Sequence, residues 1–267
     1  PTTPQTSAAG WLTEPVAPSS GARPAAARWA GMPLDAFLTR ASGELVALSP
    51  ETVTWLGIAA DLGMRDYRLD PLSVEAEAAY YGLAREILYH LDSYDLALET
   101  PRDRWNAEIY RAFLVDSLEG YAYTDHFYGV SSYMDSYPTY IAWFLTSIHP
   151  LGTLANVEDY ISRLTEIPAR FRELQARLAD SEALAAVPPK FMLEQAVDQI
   201  RSEGETPARE TDFYAALEAA IAEMPDLEEA AASALLVRAV EALEQDVLPA
   251  YGELAEYVSG MALRASD

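Results

Sequence analysis

From Pro33 onward, apolar residues return every three or four positions with polar ones between them, the spacing of one helix face after another. Leu34, Phe37, Leu38, Leu45 and Leu48 carry the first segment, which Ser49-Pro50 punctuates, and Val53, Leu56 and Leu62 carry the second. Ser73 stands where an N-cap belongs, before a helix running to about Leu91 with Glu75 and Glu77 near its positive end. Thr100-Pro101 repeats the signal, a cap followed by proline at the first helical position, with Asp103 three residues after the cap. The helix that follows has Trp105, Ile109 and Phe113 on one face and Tyr110, Leu114 and Leu118 on another. Two apolar faces predict a place in the middle of a bundle.

The clearest period comes next. Asn156 is the expected cap of a helix in which Val157, Tyr160, Leu164, Ile167, Phe171, Leu174 and Leu178 step by three and four. Pro168 falls inside it and predicts a kink or a split. Pro188-Pro189 opens a helix with Phe191, Leu193, Val197 and Ile200, and Phe213, Leu217, Ile221 and Met224 form a short one closed by Pro225. The last helix carries Leu236, Val240, Leu243, Val247, Tyr251, Leu254, Val258 and Met261, with a second kink expected at Pro249. It runs towards Asp267 without a stop signal, which predicts a fold continuing past that residue. No stretch alternates with period two, so the fold class is all-α, with roughly eight to ten helices.

Residues 1–33 read differently. Pro1, Pro4, Pro15, Pro18, Ser19, Ser20, Gly21 and Pro24 mark a disordered leader or tether, and residues 34–267 the helical domain. The chain begins at Pro1 rather than Met, which fits removal of a leader peptide. Half of the 267 residues are apolar, enough to offset the ordering entropy of a core. The 18 basic residues face 42 acidic ones, a net charge of −24, and such a field repels nucleic-acid backbones and anionic lipid. There is no cysteine, which excludes disulfides, thiolate metal sites and cysteine nucleophiles. No apolar run approaches the ~18 residues of a transmembrane helix.

Candidate chemistry is sparse. His90, His126 and His149 are far apart, and no HExxH, HxxEH or HxH pairs ligands on one helix face. No catalytic residue and no metal ligand is assigned. Phosphate-cradling and nucleophile-elbow glycine motifs are absent too, and acidic pairs such as Glu228-Glu229 are expected by chance on solvated faces of so acidic a chain. The unusual segment is Tyr121–His149, which is dense in aromatic residues and broken by Gly129 and Pro138. Such residues either plug a helical corner or line a cleft with flat apolar bodies and polar tips. On the second reading Tyr123, His126, Tyr128, Tyr137 and Trp143 are the substrate-cleft candidates.

Several segments resemble the N-terminal part of a large bacterial family, domain of unknown function 885, whose members are often lipoproteins or secreted. They are Leu48-Ser-Pro-Glu-Thr-Val-Thr-Trp-Leu-Gly57, Leu69-Asp-Pro-Leu-Ser73, His149-Pro-Leu151, Glu158-Asp-Tyr-Ile-Ser-Arg-Leu164, Val187-Pro-Pro-Lys-Phe191 and Val247-Leu-Pro-Ala-Tyr251. The family is similar to gluzincin-type helical zinc metallopeptidases, with a His-Glu pair and a Pro-Gly-His in a C-terminal half that this sequence does not reach. The resemblance implies the N-terminal half of a zinc-dependent, peptidase-like hydrolase. Zinc would belong to the full-length parent, the missing C-terminal half would be the partner, and a peptide the substrate. It implies a periplasmic or cell-surface location, with the leader as a tether after a lipid-modified cysteine. The alternative is a non-enzymatic extracytoplasmic binding module.

Overall fold

A computed structural model of the chain describes residues 28–126, 128–132 and 136–266. Residues 1–27 of the expected leader, and Phe127 and Tyr133 of the aromatic segment, lie outside them. All regular structure among the described residues is helical. Helix α1 (Leu34–Val46) turns at Ser49 into α2 (Pro50–Leu56). A non-helical strap, residues 64–73, leads to α3 (Val74–Leu91) and then α4 (Pro101–Gly120). A 3₁₀ turn (Tyr121–His126) precedes α5 (Tyr137–Ser147) and the long α6 (Leu154–Ala183). Helices α7 (Lys190–Glu205), α8 (Asp212–Ala222), α9 (Glu229–Ala242) and α10 (Leu248–Ala262) complete the fold, and a π-turn (Leu243–Val247) fuses the last two into one rod.

The caps show why these segments start where they do. Ser73 Oγ accepts the Ala76 amide and Thr100 Oγ1 that of Asp103, both as the sequence predicts. Ser49 caps α2 with Pro50 at the first helical position, and Gly57 ends that helix at φ 67°, a left-handed turn that favours glycine. Asn156 is not the cap of α6. Thr153 is, taking the Asn156 amide while its hydroxyl donates to Asn156 Oδ1, so the helix starts earlier. The helix runs through Pro168 without interruption. Pro249 follows the π-turn, whose wider i→i+5 spacing suits a residue with no amide to donate.

The apolar residues fall into two clusters. The larger surrounds α6, whose apolar stripe from Val157 to Leu178 is buried against α5, α7, α8, α9 and α10. Helices α7 and α10 meet so closely at Gly204 that a Cβ there would sit 3.2 Å from the Gly252 amide nitrogen, which keeps that position small. The smaller cluster joins α1, α3 and α4 and is closed by Trp29, which is fully buried against Phe37 and His90. Core packing therefore begins at Trp29, four residues before Pro33. The expectation for α4 also fails. Only Ala107, Leu114 and Leu118 are buried, while Trp105, Ile109 and Phe113 are 65%, 59% and 49% exposed. With one small core beside it, α4 has a partner for one face only.

Candidate functional site

One face of α6 is apolar; the next carries Arg163, Glu166, Arg170, Glu173 and Arg177, spaced by three and four and so aligned along the helix. This alternating row grips the strap through its backbone. Arg163 Nε donates to Arg68 O (2.8 Å), the Leu69 amide donates to Glu166 Oε2 (2.8 Å), and the Leu72 amide donates to Glu173 Oε2 (2.7 Å). Arg170 Nη1 reaches Asp70 O at 3.5 Å. A segment with no helix or sheet of its own thereby has its amides and carbonyls paired by side chains.

At the N-terminal end of the row lies a buried ionic network. Glu51, from α2, and Asp70, from the strap, are locked reciprocally. The Asp70 amide donates to Glu51 Oε1 (2.9 Å) and the Glu51 amide to Asp70 Oδ1 (2.8 Å). Tyr137 Oη donates to Glu51 Oε1 (3.2 Å), and Ser49 Oγ to Asp70 Oδ2 (2.5 Å). Arg163 is fully buried; its Nη2 donates to Thr54 Oγ1 (2.6 Å), whose hydroxyl donates to Asp66 Oδ1 (2.6 Å). Its guanidinium also lies over the Phe144 ring, 5.0 Å from the centroid. Arg163 Nη1 lies 2.6 Å from His149 Nδ1. The guanidinium has only protons to offer, so Nδ1 accepts and Nε2–H donates to Asn156 O (2.9 Å), which sets the tautomer.

Burial shapes the titration of this network. Glu51 is pushed up to about 7, chiefly by burial and then by the neighbouring Asp70 charge. Asp70 is raised by burial as well, against opposing hydrogen bonds from Ser49 and Glu51. His149 is held down to about 4, first by burial, with the Arg163 charge acting in the same direction. Tyr137 lies well above the usual phenol range, again through burial and the adjacent carboxylates. The chemistry available is a carboxyl pair able to hold a proton near neutrality, backed by a neutral imidazole and a fixed cation.

Tyr137 also connects this network to the surface. Its ring lines a groove of about 210 Å³ with Pro71, Leu72, Gly129, Leu174 and Leu178. A second recess of about 310 Å³, lined by Tyr123 and Gly120, adjoins it, and the two share Glu77, Thr124 and Arg177. The groove thus brings together Tyr123 and Tyr137 of the aromatic candidates. His126 lies near Tyr123, 6.4 Å between ring centroids, and Tyr128 is exposed. Trp143 is elsewhere, on the surface against Trp55 at 5.3 Å. Sequence reasoning missed Glu51, Asp70, Arg163 and His149 as a group. The signal was available, because four of the six segments that carry the family resemblance hold them. Among the described residues no three His, Asp or Glu side chains are grouped as metal ligands would be. No described helix is long and apolar enough to cross a membrane.

Comparison with known proteins agrees with that reading of the segments. The model of a family described as bacterial protein of unknown function (DUF885) matches residues 50–267. The fold is similar to a crystal structure described as that of the "putative lipoprotein from Colwellia psychrerythraea", with a TM-score of 0.71 at 18% identity. The match covers 88% of this chain but only 42% of that one. No curated protein matches the sequence.

Proposed function

Because this chain belongs to the DUF885 family of bacterial proteins, we propose that it is the helical N-terminal part of a zinc-dependent, peptidase-like hydrolase and forms one wall of its substrate cleft. The observation that carries the reading is the match in length: nearly all of this fold corresponds to less than half of a longer solved chain. The described residues do not fit a zinc site, so on this reading the metal and the water it activates belong to the remainder of the protein. The groove at Tyr123 and Tyr137 is the wall's candidate contact with a peptide, and the buried network behind Tyr137 holds that wall rigid. The similar structure's description as a "putative lipoprotein" supports a place outside the cytoplasm, at the cell surface or in the periplasm.

The test begins with the gene beyond the codon for Asp267. A downstream His-Glu pair with a second histidine is expected, together with zinc bound by the longer protein and peptide turnover that this chain alone lacks. Turnover by this chain alone, or a longer protein without zinc, would end the proposal. The second reading, a non-enzymatic extracytoplasmic binding module, draws on the exposed Trp55–Trp143 pair, two tilted rings that the core does not use. It requires a chain that is monodisperse and unfolds in one cooperative transition without any further segment.

A further inference from the structure

The two apolar cores do not merge. The chain leaves the smaller one at residues 47–49 for α2, which bonds to Arg163 through Thr54 and to Tyr137 through Glu51, returns from the strap to α3 at residues 72–73, and crosses again between α4 and α5. The smaller core comprises α1, α3 and α4; the larger comprises α5 to α10, with the strap bound to α6. The groove lies on the seam. Glu77 comes from α3, Gly120 from the end of α4 and Tyr123 and Thr124 from the turn after it, while Leu174, Arg177 and Leu178 come from α6. Across it Arg177 holds Glu77 in a two-pronged ion pair, Nη1 to Oε2 at 2.7 Å and Nη2 to Oε1 at 3.2 Å, with both side chains about one-fifth exposed.

We propose that α1, α3 and α4 move as one body against the α6 core, and that the Glu77–Arg177 pair is the latch that keeps the groove between them closed. Each side is internally packed, so each moves without loss of its own contacts. What joins them at the groove is an ion pair that water still reaches, which opens at lower cost than a fully enclosed one. The crossings at residues 47–49 and 72–73 are short segments next to helix ends, where a few dihedral changes absorb a rotation. The strap does not take part, because Arg163, Glu166 and Glu173 tie it to α6 and Glu51 ties it to α2. Its far end, at Ser73, is where rotation begins. The groove is then a closing site whose volume depends on the latch. This holds whether the whole protein is a hydrolase or a binding module.

The chain has no cysteine, so spin labels go only where they are placed. Labels at exposed Asn106 on α4 and Gln199 on α7 report the distance between the two bodies. The unaltered latch should give one narrow distance distribution. Glu77→Gln and Arg177→Met should each broaden it and move it outward, and the exchange Glu77→Arg with Arg177→Glu should narrow it again. Raising salt to about 1 M screens the pair in the labelled protein without any change at the latch, and should broaden the distribution in the same direction. Distances that overlay in the latch variants and at high salt overturn the proposal. So does outward movement accompanied by loss of helical circular dichroism, which would mean unfolding rather than hinging.

Discussion

At the start of α6 Arg163 is fully enclosed, and its partners Thr54, His149 and the Arg68 carbonyl are fixed by further bonds of their own. Two turns beyond Arg170, Arg177 meets Glu77 with similar geometry, but water reaches both side chains. The same residue type on the same helix serves as a permanent clamp in one place and as a releasable one in the other. Dielectric surroundings make the difference. A buried ion that loses its partners cannot be rehydrated, whereas one that water still reaches exchanges protein for water at lower cost.

That contrast is open to measurement. Its largest effect is expected from Arg163→Ala, which leaves the buried Glu51 and the partly buried Asp66 and Asp70 without their shared cation. Loss of about 3–5 kcal/mol in urea-induced unfolding is expected, and a loss under 1 kcal/mol would remove the clamp from the α6 start.

Next comes the pH dependence of the same network. Glu51 titrates near 7 in the fold against an ordinary 4.5, so folding favours its protonated form. That stabilisation is complete below about 4.5 and is lost as pH rises through about 7. Asp70, also raised, acts in the same sense. His149 runs the other way: its folded value is near 4 against 6.5, so its stabilisation is complete above 6.5 and is lost as pH falls through about 4. Glu51→Gln should flatten the loss on the alkaline side by roughly 3 kcal/mol and leave the acid side unchanged. Parallel stability–pH curves for the two proteins would place Glu51 in water.

Glu77→Gln is a smaller change. About 1 kcal/mol or less is expected in equilibrium unfolding, because the pair is partly solvated. A cost like that of Arg163→Ala would make the two ends of α6 alike. The smallest effect is expected of Trp105→Ser on the exposed face of α4, within ~0.5 kcal/mol. A loss of several kcal/mol would return that face to the interior.

Much of this protein was legible without coordinates. Three- and four-residue spacing identified the helices, since an apolar stripe needs only its own chain to be read, and the caps at Ser73 and Thr100 are local for the same reason. The cap of α6 was misplaced because Asn156 and Thr153 are both capping types and lie within one turn of each other. At Pro168 the helix is not split, and a π-turn precedes Pro249. Trp105, Ile109 and Phe113 look like core residues in the sequence, yet nothing in a sequence says whether a neighbour exists to cover them.

The sequence by itself determined the all-α class, the helix positions and the strongly acidic surface, all consequences of local spacing and composition. Only the tertiary structure decided that the apolar residues divide into two cores and that Glu51, Asp70, His149 and Arg163 meet, although up to 113 positions separate Arg163 from its bonded partners. It also decided that Arg177 meets Glu77 at a groove while Arg163 disappears from solvent. Burial and partner choice are properties of contacts between segments far apart in the chain, and no local pattern encodes which segments will meet.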